Sequence, residues 1–216
     1  MEPTPVAAPP RQLPGGRELA EASIEDLFEA AGALRRGHFL LRSGRHSNSY
    51  LEKFAVLQYP ALGVEIGRRL AEALIGHDPT LVVGPTTGGA LLAFETARQL
   101  EATLGRTVRG VFAEPMERGT RALRRGWPLD RDDRVVLVDD ILTTGASLAE
   151  TFSAVRTAGG SPLLASVIVD RSTGPVEIGC PIVPLGRIEI GSWTSDECAA
   201  CRAGEPLVKP GSSVPS

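Results

Sequence analysis

The chain has 216 residues, 42% of them hydrophobic and 23% charged, which is enough for one α/β domain with a sizeable core. Its net charge of -3 gives the surface as a whole no reason to attract nucleic acid or an anionic membrane. No apolar run approaches the ~20 residues of a bilayer span, and the N-terminus lacks the basic-then-apolar order of a secretory signal, so we expect a soluble, cytoplasmic protein.

The opening "MEPTPVAAPPRQLPGG" is rich in Pro, Ala and Gly without period, so residues 1–20 read as a disordered tail ahead of a domain over 21–216. Ser23 followed three residues later by Asp26 is close to a capping box and predicts a helix from about Ile24 to Arg35. "HFLLRSGRHSNSYLEKF" reads as two short extended runs around a polar turn at Gly44. Leu62, Ile66, Leu70 and Leu74 recur every four residues, marking one face of a helix from Pro60 to Ile75 that Gly76 stops. An alternation follows: "TLVVGP" as strand, "GGALLAFETARQLEATL" as helix, "VRGVFAE" as strand, then an arginine-rich insert. "RVVLVDD" is again a strand, "GASLAETFSAVRTAGG" a helix, "LLASVIVD" a strand, and "IVPLGRIEI" a late strand. Uniformly apolar strands between amphipathic helices imply a mostly parallel sheet covered on both faces.

Cys180, Cys198 and Cys201 are too few, and odd in number, for a disulfide framework. The pair in "CAAC" is spaced for a metal, but a structural zinc site wants four ligands, and Cys180, His38, His46 and His77 are all that remain to supply two. The expectation is therefore reduced thiols near a C-terminal turn. Of 23 basic residues, 21 are arginines, and Lys53 and Lys209 are the lysines.

In an open α/β sheet, ligands sit beyond the carboxyl ends of the strands. "GPTTGGA", Gly84 to Ala90, leads from strand to helix through glycines and hydroxyls and suits an anion, or else is merely a flexible turn. In "VVLVDDILTTGAS", Asp139 and Asp140 close an apolar strand where unpaired carboxylates lose hydration, so they need a partner such as a ribose diol or a magnesium ion. Thr143, Thr144, Gly145, Ala146 and Ser147 then enter a helix whose free N–H groups favour a phosphate, with Thr144 or Ser147 as the alternative plain cap. In "VIVDRSTG", Arg171 either pairs locally with Asp170 or grips a planar anion.

"VVLVDDILTTGAS" resembles the signature of the type I phosphoribosyltransferases. From about Ile24 to Gly204 the chain is similar to their orotate phosphoribosyltransferase branch, through "GHFLLRSGRHSNSYLEKF", "VVGPTTGGA", "DRSTG" and "CAACRAGEPLVKPGS". The resemblance implies a central mostly parallel sheet flanked by helices, with a small N-terminal hood at about 21–58 and a cysteine-containing C-terminal extension at about 192–216. It implies that Asp139 and Asp140 hold the ribose hydroxyls of phosphoribosyl pyrophosphate. Thr143 to Ser147 would enclose the 5'-phosphate, and Thr86, Thr87, Gly88 and Gly89 the pyrophosphate with Mg2+. Orotate would meet Arg42, Tyr50, Thr143 and Arg171. The family also implies a homodimer whose mobile loop reaches the neighbouring site.

That loop, "MERGTRALRRGWPLDRDD", differs from the family pattern: Arg118, Arg121, Arg124 and Arg125 stand where a lysine and a histidine are common. Arginine keeps its proton at working pH, so Arg118, Arg121 and Arg124 are expected to stabilise a departing pyrophosphate rather than protonate it. Other departures are Leu41-Arg42-Ser43-Gly44 for "LKSG", Thr87 or Gly88 for a lysine, and Ala113-Glu114-Pro115 for "RKE". Transfer to another nucleobase, or a regulatory protein sensing phosphoribosyl pyrophosphate, are the alternative readings.

Overall fold

The computed structural model describes residues 18–41 and 43–210, with the backbone alone of Arg118. Ser23 caps α1 (Ile24–Ala30) through a complete capping box, its hydroxyl accepting from Asp26 N while the Asp26 carboxylate accepts from Ser23 N. The helix was expected to reach Arg35, and it stops five residues earlier. From Leu34 the backbone is claimed by sheet hydrogen bonding, with β1 (Leu34–Leu40) running antiparallel to β2 (His46–Leu51) in the register Leu34↔Leu51. Residues 18–20 also depart from the expected disordered tail: Leu19–Glu21 form a 3-10 turn, and Arg69 donates to Leu19 O at 2.8 Å. Residues 1–17 lie outside the described residues.

A short α2 (Lys53–Leu57) leads into α3 (Pro60–Leu74), whose Leu62, Ile66, Leu70 and Leu74 are all buried, as their spacing predicts. Then come β3 (Leu81–Pro85), α4 (Gly88–Leu104), β4 (Arg109–Pro115) and the two-residue β5 (Arg121–Ala122). They are followed by β6 (Val135–Leu142), α5 (Ala146–Thr157), β7 (Pro162–Asp170) and β8 (Ile182–Arg187). β9 (Ser192–Trp193) and α6 (Ala199–Arg202) complete the described elements.

The main sheet has the order β5-β4-β3-β6-β7-β8 and is parallel except for β5. β1, β2 and β9 form a separate three-stranded antiparallel sheet, the expected hood. Every residue of β3 is buried, as are the first six of β6, because helices cover both faces. Ile24, Leu27 and Phe28 of α1 join α3, α4, Val136 and Ile168 in one core cluster, so the N-terminal helix shares the interior of the main sheet. A second cluster on the other face holds Leu137, Leu148, Val155 and Val167.

The chain runs β3 to β4 in one direction across the sheet and reaches β6 and β7 in the other, so the order reverses between β3 and β6. That reversal opens a crevice at their carboxyl ends. Among the described residues no helix is long and apolar enough to cross a membrane.

Candidate active site

Lys53, Pro85, Thr86, Gly88, Arg121, Asp139, Asp140, Ile141, Thr143, Ser147 and Arg171 converge on this crevice, which encloses about 330 Å3. The acid pair sits inside β6 rather than at its last residues, because the ladder to β7 continues through Ile141↔Val169 and Leu142↔Asp170. Both carboxylates are nearly inaccessible, Asp139 at 5% and Asp140 at 3% exposure. Burying two like charges side by side is costly, and each is met by specific donors. Ser147 Oγ donates to Asp139 Oδ2 at 2.6 Å, and Asp140 N donates to Asp139 Oδ1 at 2.8 Å. Ile141 N donates to Asp140 Oδ1 at 2.8 Å, and Lys53 Nζ donates to the same oxygen at 3.1 Å.

The compensation is incomplete. Burial first, and then the neighbouring Asp140 charge, push Asp139 up to about 6 from its ordinary 3.8, against the opposing pull of Ser147, the Asp140 amide and Lys53. Asp140 Oδ2 lies 2.9 Å from Lys53 Nζ but receives no aligned hydrogen bond among the described residues. A buried carboxylate pair short of donors at the mouth of a crevice calls for a ligand that brings hydroxyl hydrogens or a hard cation.

The turns on either side are shaped by close approach. A Cβ on Gly88 would come within 2.1 Å of Asp140 Oδ2, so only glycine lets the start of α4 lie against the acid pair. Gly145 has φ +77, and a Cβ there would meet Val176 Cγ1 at 2.3 Å. The loop 143–147 is thereby held close, with Thr143, Thr144 and Ala146 exposed at the N-terminus of α5. Thr144 Oγ1 receives only a long 3.4 Å contact from Ala146 N, and Ser147 spends its hydroxyl on Asp139. A plain helix cap therefore does not account for these hydroxyls. The helix N–H groups and dipole are left for an anion.

Arg171 closes the crevice from the end of β7. It does not pair with Asp170, which instead accepts from Ser172 N at 2.8 Å and faces Arg187 at 3.5 Å. Burial pulls the Arg171 guanidinium below its ordinary value, opposed by Tyr50 on β2, and its Nε has no hydrogen-bond partner among the described residues. A partly desolvated guanidinium with an unused donor, inside a crevice, is a seat for a planar anion.

A family model described as the phosphoribosyl transferase domain matches residues 56–189. An orotate phosphoribosyltransferase of Caldanaerobacter subterraneus subsp. tengcongensis is 39% identical over 194 residues, covering 90% of this chain and 98% of that protein. That of Pelotomaculum thermopropionicum is 42% identical over 194 residues with the same coverage. This chain belongs to the orotate phosphoribosyltransferase family. Among solved members, the crystal structure of orotate phosphoribosyltransferase from Aeropyrum pernix has a TM-score of 0.56 at 25% identity, covering 76% of this chain and 93% of that one.

Most positions expected from the orotate phosphoribosyltransferase resemblance meet at the crevice: Thr86, Gly88, Asp139, Asp140, Thr143, Ser147 and Arg171 line it. Thr87 and Gly89 belong to the same turn, and Gly89 packs against Gly84 where a side chain on either would collide. Arg121 lines the crevice too, with Nε 3.2 Å from Glu150 Oε2 and NH1 donating to Ala113 O at 3.2 Å. Arg124 does not line it; it stands exposed on the turn after β5, while Arg125 pairs with Glu114 at 2.6 Å. Arg42 and the Arg118 side chain lie outside what the structure describes.

One charged residue of the crevice is not among the expected site residues. Lys53 was noted only as a rare lysine, yet it is the cation facing Asp140. Its position right after the hood motif "NSYLE", in a chain that otherwise uses arginine, was the available signal. The arginine-rich insert holds local structure: β5 pairs with β4, and Trp127 packs edge-on to Phe112 with ring centroids 5.0 Å apart.

Proposed function

We infer that the crevice transfers the 5-phosphoribosyl group of phosphoribosyl pyrophosphate to N1 of orotate, giving orotidine 5'-monophosphate and pyrophosphate in pyrimidine biosynthesis. The observation that carries this reading is the buried Asp139–Asp140 pair, under-supplied with donors, beside a phosphate-shaped loop and beneath a partly desolvated arginine. In the transfer, the C1–O bond to pyrophosphate breaks as the C1–N1 bond to orotate forms, and the N1 proton is released to solvent. Ribose hydroxyls donate to Asp139 and Asp140 in place of water, fixing C1 against the nucleophile. The amides at the start of α5 and the hydroxyls of Thr143 and Thr144 receive the 5'-phosphate. The turn Thr86–Gly89 receives the pyrophosphate. Arg121 keeps its proton and stabilises the charge that develops on the leaving group, with Arg118 and Arg124 as further cations on the same insert. Arg171, with Tyr50 of β2 and Thr143, receives the carboxylated pyrimidine, and Arg42 is the further cation assigned to it by the family resemblance.

Magnesium belongs to this reading. The carboxylate oxygens of Asp139 and Asp140 are hard donors, and Asp140 Oδ2 lacks an aligned partner, so the residues fit a Mg2+ shared with the substrate's own oxygens. When bound, the ion offsets charge on the pyrophosphate.

A homodimer also belongs to it. Phe54, Val64, Leu91 and Phe94 of α2, α3 and α4 are exposed large apolar residues, Phe94 at 69%. A second copy is the occupant this surface suits, and Arg124, exposed and outside its own crevice, is the residue we assign to the neighbouring site. We read residues 21–216 as one domain with the β1-β2-β9 sheet as hood.

The base is tested by pairing substrate and variant. Arg171→Ala should raise KM for orotate about 100-fold while leaving KM for phosphoribosyl pyrophosphate within a few fold, the size of a lost charge-assisted contact. Equal turnover of uracil and orotate by the unaltered protein would refute orotate as the base.

A further inference from the structure

At the far edge of the hood, away from the crevice, four side chains with metal-ligating atoms point at one another. His38, His46, Cys198 and Cys201 each offer one such atom, and all four atoms lie within 4.8 Å of one another. His38 Nε2 is 2.9 Å from His46 Nδ1, 3.4 Å from Cys198 Sγ and 3.5 Å from Cys201 Sγ, and Cys201 Sγ is 3.1 Å from His46 Nδ1. We propose that this cluster is a structural zinc site that fastens the C-terminal segment to the hood sheet.

The chemistry selects the ion. Zn–S bonds of about 2.3 Å and Zn–N bonds of about 2.0–2.1 Å place neighbouring donors of a tetrahedron about 3.3–3.8 Å apart, close to the spacing found here. Two thiolates and two imidazoles suit zinc over a hard cation such as magnesium. Four protein ligands leave no open position, which marks the site as structural rather than catalytic.

The fold brings the ligands together from both ends of the chain. Leu40 lies opposite His46 in the β1–β2 register, and the register shift between Arg36 and Phe39 contains His38, whose ring reaches His46 across the two strands. Cys198 and Cys201 come from the start of α6, and Phe39 bridges to Val208 beyond it. His38, His46 and Cys198 are buried, and Cys201 closes the cluster on its solvent side.

The surroundings complete the argument. His38 Nδ1 lies 3.0 Å from Glu205 O, so its N–H donates to that carbonyl and Nε2 faces the cluster with a lone pair, the orientation that metal-bound histidines adopt. The two thiols and two imidazole nitrogens are crowded together, with His38, His46 and Cys198 buried. The sequence left four candidates for the two further ligands. The fold takes His38 and His46, while Cys180 packs against the second core cluster and His77 lies by Arg134, its carbonyl accepting from Nε at 2.8 Å.

The full-length protein, purified under reducing conditions without chelator and desalted, should carry one zinc ion per chain by elemental mass spectrometry. Cys180→Ser should keep it and Cys198→Ser/Cys201→Ser should lose it. After removal of the metal, added Co2+ should give thiolate-to-cobalt charge-transfer absorption and the visible bands of a tetrahedral ion, and Cys201→Ser should weaken the charge-transfer band. Chelation should lower the melting temperature of the unaltered protein and leave the double variant unmoved. Failure of the unaltered, folded protein to hold either Zn2+ or Co2+ stoichiometrically would overturn the site. So would zinc retained by the double variant, or a Cys198–Cys201 disulfide in the freshly purified protein.

Discussion

The crevice between β3 and β6 and the Cys/His cluster at the hood edge both bury polar side chains, but they gather them differently. In the crevice, Asp139 and Asp140 are neighbours in one strand, and most of their donors come from Ser147 and the adjacent backbone. In the cluster, His38 and Cys198 meet across 160 positions of chain. The crevice is left with unmet acceptor capacity on its acid pair, which a substrate's hydroxyls and its cation can answer and then vacate. The cluster is arranged to be answered once, by an ion that stays. Buried polar groups that the protein itself does not satisfy point to a ligand, and the number of protein donors already in place separates a substrate from a fixture.

The largest test of that contrast is removal of the acid pair. Asp139→Asn/Asp140→Asn should cut kcat/KM by about 100- to 1,000-fold, in line with removal of preorganised electrostatic contacts, while leaving zinc content unchanged. Steady-state kinetics and elemental analysis of the same sample check it. Next is Lys53→Met, which leaves Asp140 without its cation and should lower kcat/KM by about 10- to 100-fold. Arg121→Ala should lower kcat by about 10- to 100-fold, and Arg124→Ala alone by less, unless mixing with an active-site-dead copy shows Arg124 acting across a dimer.

Smaller effects come from protonation. Asp139 holds its proton more tightly in the folded chain, at about 6 against an ordinary 3.8. Between those values the folded protein is protonated where the unfolded chain has ionised, so stability falls as pH rises through the window and then levels off. Asp139→Asn should flatten that slope and, near neutral pH, stabilise the protein by about 1–3 kcal/mol in denaturant titrations. Activity should run the other way: kcat/KM of the unaltered protein should rise with pH through an apparent pKa near 6 as the pair becomes fully ionised.

The crevice was legible in the sequence because its parts are contiguous. Apolar runs broken by "GPTTGG" and "DDILTTGAS" reveal strand, turn and helix start in order, and the spacing of Leu62, Ile66, Leu70 and Leu74 gives the helix that covers the sheet. What needed the fold is whatever rests on distant pairing. The helix expected to reach Arg35 yields at Ala30 because β2 competes for the backbone after it. The arginine-rich insert is anchored by Trp127 on Phe112, a contact between segments that no periodicity announces. Lys53 reaches Asp140 over 87 positions, and the histidines of the cluster reach the cysteines over longer spans. Local patterning reports which groups are buried, and only the tertiary arrangement reports what they are buried against.

The most direct measurement follows the ultraviolet absorbance of orotate mixed with the purified protein, Mg2+ and phosphoribosyl pyrophosphate, with Asp139→Asn/Asp140→Asn alongside. The account predicts loss of the orotate band with the unaltered protein and almost none with the variant. An unchanged orotate band with protein that binds phosphoribosyl pyrophosphate, or equal loss in both samples, would contradict it.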